Sequence, residues 1–196
     1  MPMDHSEGWE DVAEHFMAAR SDTGAHLVLS WARENLPRSR SGSVIDIGCG
    51  SGVPIAHTLI DAGVDVFGID ASPTLIAAFR RQFPKAQSAC EAAQDSPFFH
   101  RTFDAAVAIG LLFLLTEDDQ QKVIRRVANV LKPGGRFLFT APREKCEWDD
   151  TLTGRRSKSL GAEAYEQLLR ESGLHLASSR IDEGGNNYYD AVKALR

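Results

Sequence analysis

The sequence lacks a long hydrophobic run. Its longest apolar stretch, AAVAIGLLFLL at 105–115, is far too short to cross a bilayer as a helix. The first residues, MPMDHSEGWEDV, are acidic and lack the basic start and the apolar stretch of a secretory signal. We therefore expect a cytoplasmic protein with no membrane partner.

Cysteine is scarce, and positive charge is not concentrated anywhere in the chain. Cys49, Cys90 and Cys146 are widely separated and form no C-x-x-C pair, which argues against a disulfide framework and against a zinc site. The acidic segment 147–150 has no accompanying histidine cluster, so we predict that no metal is bound. The formal net charge of -5, with scattered lysines and arginines, argues against nucleic acid as a partner.

The length and apolar content are those of one domain. The chain has 196 residues, 43% of them hydrophobic, which is enough for a sizeable core. We predict N-terminal helices that could serve as a lid at 1–42, a ligand-binding core at 43–141, and a C-terminal part at 142–196. The C-terminal part is expected to contain a substrate-side loop, a helix and closing strands.

Hydrophobic periodicity alternates between short strands and longer helices. The predicted helices are 9–19, 25–35, 54–62, a helix that begins at Ser72-Pro73 and ends before Pro84, 118–131 with Thr116 as N-cap, and 162–172. The predicted strands are 43–48, 65–69, 86–90, 103–109, 136–141 and a pair within 174–195, whereas 142–161 is predicted to be a loop. This alternation predicts an α/β fold with a mainly parallel, doubly wound sheet and helices on both faces.

The glycines at 44–52, VIDIGCGSG, point to a ligand at the first strand-to-helix turn. In doubly wound sheets this turn lies at the carboxyl ends of the strands, and glycines there allow a ligand to approach the backbone closely. The spacing is not that of a dinucleotide fingerprint, because Val53 stands where its last glycine would be and Pro54 removes a backbone donor. This argues against a nicotinamide-dependent oxidoreductase.

An acidic residue ends the second predicted strand. Asp70 lies twenty residues after Gly50, where a carboxylate can accept hydrogen bonds from two ribose hydroxyls. A carboxylate at this position disfavours a ligand with a 2′-phosphate. The two segments together therefore predict a site for a nucleoside-containing ligand.

With these motifs the chain resembles the class I S-adenosylmethionine-dependent methyltransferases. The resemblance rests on VIDIGCGSG at 44–52, VFGIDAS at 66–72, FDAAVAIGLLFLL at 103–115 and LKPGGRFLFTAP at 131–142. It implies a Rossmann-like fold with a seven-stranded sheet and an antiparallel C-terminal strand. It also implies S-adenosylmethionine as cofactor and S-adenosylhomocysteine as product.

The resemblance also implies which residues meet the cofactor. The glycine loop would lie under its methionine and ribose, Asp70 would take the ribose hydroxyls, and the loop after the third strand would contact adenine, with Gln94 as an alternative contact. Residues after the fourth strand would border the transferred methyl, and a basic residue before the first strand would meet the cofactor carboxylate. The predicted cofactor residues are Arg20, Asp46, Gly48, Cys49, Gly50, Gly52, Asp70, Ala71, Glu91, Ala92, Ile109 and Gly110.

The resemblance implies methyl transfer to an oxygen, nitrogen or sulfur atom. The segment AIGLLF after the fourth strand lacks the Asn/Asp-Pro-Pro-Tyr/Phe signature of methylases of amino groups in DNA and glutamine, which favours a small-molecule acceptor. Two alternatives stay open: a binding module that keeps the fold without catalysis, and another transferase that uses the same cofactor. No motif encodes the acceptor, the methylated atom or the oligomeric state.

Candidate acceptor and base residues lie mainly in three segments outside the cofactor motifs, 9–16, 143–150 and 186–190. We predict acceptor contacts at Trp9, Phe113, Trp148 and Tyr188, and a general base, if one is used, at His15 or Tyr188. Trp9 and Phe16 lie seven residues apart on one helical face, so they fit a buried core as well as a lid. Because strand side chains alternate, at most one of the adjacent tyrosines at 188 and 189 is expected to reach the site.

Overall fold

The computed structural model describes residues 6–19, 21–37 and 41–195. The helices in these ranges are α1 (Trp9–Ala18), α2 (Ala25–Asn35), α3 (Ile55–Asp61), α4 (Pro73–Gln82), α5 (Glu117–Val130) and α6 (Ala162–Glu171). The strands are β1 (Ser43–Ile47), β2 (Asp65–Asp70), β3 (Gln87–Cys90), β4 (Phe103–Ala108), β5 (Leu131–Thr140), β6 (Cys146–Asp149), β7 (Arg156–Ser159), β8 (Leu174–Ile181) and β9 (Asn187–Lys193). None of these helices is long and apolar enough to cross a membrane.

Seven strands form the central sheet in the order β3-β2-β1-β4-β5-β9-β8. The strands from β1 to β5 run parallel, whereas β9 pairs antiparallel with both β5 and β8. The predicted fold class is therefore confirmed, including the antiparallel C-terminal strand. The strand order reverses between β1 and β4, where a doubly wound sheet opens a crevice at its carboxyl ends.

Helices cover both faces of this sheet. Val44 and Ile45 are adjacent in β1 and point to opposite faces, because side chains alternate along a strand. Ile45 belongs to the core cluster that includes Val123 of α5 and Leu169 of α6. Val44 belongs to a second cluster, which includes Phe79 of α4. Because both faces are covered, β1 and β4 are buried along their whole length and read as nearly continuous apolar runs.

Two helix starts are fixed by the side chains that the sequence predicted as caps. The Ser72 hydroxyl accepts a hydrogen bond from the Leu75 N–H at 3.1 Å at the start of α4. The Thr116 hydroxyl accepts one from the Asp119 N–H at 3.2 Å at the start of α5. Each cap satisfies a backbone donor that the first helical turn leaves unpaired.

The structure corrects the prediction at two places. The segment 142–161, predicted as a loop, contains the hairpin β6–β7, which forms a separate two-stranded sheet. β5 begins at Leu131 rather than at 136, because Leu131 already pairs with Phe103 before a register shift in the ladder. The glycines at 134 and 135 thus lie within an irregular strand rather than in a loop.

Candidate active site

A cavity of about 460 Å³ opens at the carboxyl ends of the strands, where the strand order reverses. Its floor and cofactor-side wall come from the turns after β1, β2, β3 and β4. The predicted cofactor residues that line it are Gly48, Gly50, Asp70, Ala71, Glu91, Ala92, Ile109 and Gly110. Residues from four separate segments of the sequence thus line one cavity.

The glycine loop is tied to the end of β2. The N–H groups of Gly48 and Cys49 both donate to the Ile69 carbonyl, at 2.8 and 2.9 Å. Gly48 and Gly50 have φ angles of 71° and 56°, in the left-handed region that favours glycine. The loop therefore turns sharply and presents its backbone to the cavity.

Three predicted cofactor residues of this loop do not line the cavity. A Cβ atom on Gly52 would lie 2.8 Å from the ring of Phe79, so the close neighbour of this glycine is α4. Cys49 is 5% exposed, and its Sγ lies 2.8 Å from the position of a Cβ on Gly68. Asp46 is 2% exposed within β1. These residues shape the loop from behind, because the packing of α4 and β2 against it leaves no room for larger side chains.

Asp70 lies at the cavity floor with its carboxylate fixed by backbone donors. The N–H of Gly50 donates to its Oδ2 and the N–H of Ser72 to its Oδ1, each at 2.9 Å. Burial raises the pKa of Asp70, and the nearby charge of Glu10 acts in the same direction, while the backbone donors oppose them. The carboxylate is thus oriented, and its raised pKa shows that burial outweighs these hydrogen bonds.

The wall after β3 carries the predicted adenine contacts. Glu91, Ala92 and Gln94 all line the cavity. The Ser96 hydroxyl donates to Glu91 Oε2 at 2.7 Å, which fixes the direction of that carboxylate. The sequence left the exact contact in this segment open, and the structure brings all three candidates to the same wall.

The turn after β4 packs directly on the glycine loop. The Leu111 side chain lies 3.0 Å from the position of a Cβ on Gly48, so a larger residue there would displace this turn. The Gly110 N–H donates to the Thr140 hydroxyl at 2.7 Å, which ties the turn to β5. Ile109 and Gly110 are therefore held at the centre of the crevice.

Helix α1 covers one side of the cavity. Trp9 and Phe16 both line it and make an edge-to-face contact with ring centroids 5.0 Å apart. Glu10 fastens the helix to the N-terminus of α4: its carboxylate accepts from the Ser72 hydroxyl, from the Thr74 N–H at 3.1 Å and from the Thr74 hydroxyl at 2.6 Å. Trp9 and Phe16 are thus only partly buried and line the cavity, and the role of α1 as a lid stays a prediction.

The turn between β6 and β7 covers another side. Asp150 and Leu152 of this turn line the cavity. Arg155 forms an ion pair with Glu7 at 2.9 Å and so joins the turn to the segment before α1. Leu152 was not predicted, whereas Asp150 is the last residue of the segment 143–150, where acceptor contacts were predicted. The D-x-x-T pattern at 150–153 signals a turn, but nothing in it shows that the turn folds over the cavity.

The predicted acceptor residues Phe113 and Trp148 form an aromatic pair with ring centroids 5.3 Å apart. Phe113 lines the cavity, whereas Trp148 lines a neighbouring cleft of about 340 Å³ at the end of β5. Trp148 thus meets the cavity only through Phe113.

Tyr188 is not part of the site, which corrects the prediction. It is 1% exposed in the core on the α2 side of the sheet, and it donates to Asp182 at 3.0 Å. Burial, followed by this hydrogen bond, raises the pKa of Tyr188, which argues against a general base. Tyr189 is equally buried on the opposite face, because β9 lies inside the sheet and both of its faces are covered.

Two further predictions concern His15, as a general base, and Arg20, as a basic contact of the cofactor. His15 is exposed on α1 and does not line the cavity. Arg20 lies outside the described residues. In the described ranges no group of three or more histidine, cysteine or acidic side chains could hold a metal ion.

Comparison with known proteins relates the chain to a described family. Residues 44–135 match the profile of a family described as "Methyltransferase domain". The predicted resemblance to the class I S-adenosylmethionine-dependent methyltransferases is confirmed over this segment. The matched segment runs from β1 into β5 and contains the glycine loop and Asp70.

Related proteins cover part of this chain. An uncharacterized methyltransferase of Synechocystis, sll0829, is 33% identical over 59% of this chain and 54% of that protein. The O-methyltransferase resE of Aspergillus sclerotiorum is 31% identical over 72% of this chain and 58% of that protein. The chain therefore spans little more than half the length of these curated relatives.

A solved structure resembles the fold over almost the whole chain. It is the 1,6-didemethyltoxoflavin-N1-methyltransferase of Burkholderia thailandensis, with bound 1,6-didemethyltoxoflavin and S-adenosylhomocysteine. The TM-score is 0.76 at 16% identity, over 99% of this chain and 92% of that chain. At this identity the comparison supports the fold.

Proposed function

We propose that this protein transfers the methyl group of S-adenosylmethionine to a nucleophilic oxygen, nitrogen or sulfur atom of a small molecule. The observation that carries the proposal is Asp70, a desolvated carboxylate at the floor of a cavity at the switch point of the sheet. The match of residues 44–135 to a family described as a methyltransferase domain supports the reaction class.

Several residues that line the cavity suit the chemical groups of the cofactor. Asp70 accepts one backbone hydrogen bond on each oxygen, and a carboxylate has capacity for further donors, such as two ribose hydroxyls. Such donors would offset the burial that raises its pKa. Gly48 and Gly50 present backbone without side chains, and Glu91 lines the wall as a candidate acceptor for the adenine amino group.

When bound, S-adenosylmethionine supplies an electrophilic sulfonium methyl, so that the acceptor's lone pair forms the new bond while the carbon–sulfur bond breaks and its electron pair stays on sulfur. The protein's own residues would orient the two partners, which can contribute several kcal/mol (roughly 7 or more) without covalent catalysis. Trp9, Phe16 and the turn at 150–155 would exclude water. The acceptor's proton, where it has one to lose, would pass to solvent.

A small acceptor is supported by the enclosure of the cavity. α1 lies over one side and the turn at 150–155 over another, joined by the Glu7–Arg155 ion pair. The Burkholderia structure of the same fold holds a small heteroaromatic molecule. An acceptor that fits beneath such a cover is a small molecule rather than a folded macromolecule.

Calorimetric titration with S-adenosylmethionine and S-adenosylhomocysteine tests the proposal. We expect both to bind, and Asp70→Asn to weaken both by about tenfold or more, because hydrogen bonds to a charged group contribute roughly 1.5–3 kcal/mol. The matched control is Asp65→Asn, at the exposed opposite end of β2, which should leave both affinities unchanged. Absence of binding at millimolar ligand in folded protein would refute the proposal, and equal affinities in Asp70→Asn would refute the role of Asp70.

A further inference from the structure

The cavity is lined by carboxylates and by no cationic side chain among the residues that the structure describes. The ionisable lining residues in these ranges are Glu7, Asp70, Glu91 and Asp150. Asp70 and Glu91 follow β2 and β3, on the side proposed for the cofactor. Glu7 and Asp150 belong to the cover of the cavity, which consists of α1 with the segment before it and of the turn at 150–155. An acceptor would lie beneath this cover.

The two carboxylates of the cover differ in whether an ion-pair partner balances their negative charge. Glu7 is paired with Arg155 at 2.9 Å. Asp150 is in none of the ion pairs found among the described residues. Its Oδ1 accepts hydrogen bonds from the Leu152 N–H at 3.0 Å, from the Thr153 N–H at 2.8 Å and from the Thr153 hydroxyl at 2.9 Å.

These three bonds all reach one oxygen, so they fix the direction of the Asp150 carboxylate while its Oδ2 takes part in no described hydrogen bond. The side chain is half-buried at the cavity wall. A carboxylate that is oriented, partly desolvated and in no described ion pair interacts most favourably with a cationic or N–H-bearing group.

The other walls of the cavity also favour a particular kind of acceptor. Trp9, Phe16 and Phe113 present aromatic rings to the cavity, and Leu152 lies next to Asp150 in the turn. Aromatic walls bury apolar rings well, and their faces also attract cations. An anionic acceptor would be repelled by the negative charge of Asp150. The cavity therefore disfavours acidic molecules.

We propose that the acceptor is a small amine with an apolar ring, and that Asp150 binds either its N–H group or an ammonium group that is not the methylated atom. This inference rests on the proposed function, because it assigns the acceptor side of the same cavity. Asp150 is a specificity-determining residue here and takes no part in the methyl transfer itself.

Two probes of similar shape and opposite charge test the inference: 2-phenylethylamine and 3-phenylpropionate. Each is titrated into protein saturated with S-adenosylhomocysteine, whose neutral thioether does not repel a cation. We expect the amine to bind at least about tenfold more tightly, since a hydrogen bond to a charged partner contributes roughly 1.5–3 kcal/mol.

Asp150→Asn is the decisive variant, because its amide oxygen can still accept the three hydrogen bonds of the turn while the charge is removed. In this variant the preference for the amine should fall to less than about threefold. The matched control is Asp149→Asn. Asp149 is the exposed neighbour, is paired with Arg156 at 3.1 Å and does not line the cavity, so this variant should keep the preference.

The outcomes separate this inference from the proposed function. Failure of S-adenosylhomocysteine to bind would refute the proposed function. Normal binding of S-adenosylhomocysteine to wild type and to Asp150→Asn shows that both are folded. The inference alone is then overturned by equal affinity of the two probes, by no amine binding at millimolar concentration, or by a preference that persists in Asp150→Asn.

Discussion

Asp70 is the residue on which the proposed cofactor binding depends. Its pKa is raised by burial, so its ionised form destabilises the ligand-free fold at neutral pH, and this cost is lost as the pH falls from the raised pKa to the ordinary pKa of an aspartate. The ionised form is nevertheless the one that would accept ribose hydroxyls. The free protein therefore carries an electrostatic cost that the bound ligand would relieve.

A pH dependence of cofactor affinity follows from the direction of this shift. We expect the affinity for S-adenosylhomocysteine to fall as the pH decreases through the raised pKa of Asp70, approaching tenfold per pH unit below it. The fall should begin above the ordinary range of an aspartate. Calorimetry across the acid range measures it, with Asp70→Asn as the control. The same slope in wild type and variant would contradict the assignment.

The glycines of the first motif illustrate what single residues reveal before a structure is known. Their spacing predicted a tight turn with exposed backbone, and Gly48 and Gly50 form that turn with positive φ. The same spacing could not distinguish Gly52, whose near neighbour is Phe79 of α4. The sequence alone cannot distinguish a glycine that lies next to a ligand from one that packs against a helix. In both cases glycine is needed because a side chain would not fit.

At the scale of elements, α1 depends on a polar contact as well as on its apolar face. Glu10 accepts hydrogen bonds from Ser72 and Thr74 at the start of α4, where the helix dipole favours negative charge. This contact lies directly after Asp70 and Ala71 in the chain. The cover and the floor of the cavity are thus joined at one helix N-terminus.

Glu10→Gln should loosen the cover. Because hydrogen bonds to a charged group contribute roughly 1.5–3 kcal/mol, amide exchange across 9–18 should accelerate about tenfold or more, and S-adenosylhomocysteine should bind more weakly. Hydrogen-exchange mass spectrometry and calorimetry measure the two effects. Glu14→Gln, an exposed change on the same helix, is the matched control. Equal exchange in the two variants would show that Glu10 does not fasten α1.

The elements that hydrophobic periodicity predicted correctly are those with long apolar runs or a regular alternation of apolar and polar residues. β1 and β4 are buried throughout, and the amphipathic helices α5 and α6 lie close to their predicted bounds. The hairpin β6–β7 was missed because its strands have four residues each and are only partly buried. Such short polar strands form through their tertiary contacts, which the local sequence does not encode.

For the whole molecule, one buried ion pair joins the C-terminal strands to the parallel core. Asp190 of β9 is 0% exposed, receives both Arg136 Nε at 3.1 Å and Nη2 at 2.5 Å from β5, and accepts from the Ser178 hydroxyl of β8 at 3.1 Å. Three neighbouring strands therefore meet at one carboxylate. Removal of one partner would leave the Arg136 charge uncompensated at a largely buried position.

Asp190→Ala should lower the free energy of unfolding by about 3–5 kcal/mol, the usual cost of breaking a buried pair. Urea denaturation followed by circular dichroism measures it. Glu166→Ala, which removes a partner of the exposed Arg170 at 3.8 Å, should cost about 1 kcal/mol or less. Similar losses in both variants would mean that the Asp190 pair contributes no more than a surface contact.

The two halves of the site differ in how far the sequence predicted them. The cofactor side comes from turns that directly follow strands, so the order of the motifs along the chain was enough to place Asp70 and Gly110 on one cavity. The acceptor side comes from α1 and the turn at 150–155, whose positions depend on packing between distant segments. Tyr188 shows the same limit, because strand alternation could not reveal that both faces of β9 are covered.

The Glu7–Arg155 contact joins two segments separated by 148 positions in the chain. During synthesis, which proceeds from the N-terminus, the glycine loop and Asp70 emerge long before Arg155 does. The ion pair between the segment before α1 and the turn at 150–155 can therefore form only after Arg155 has been synthesised.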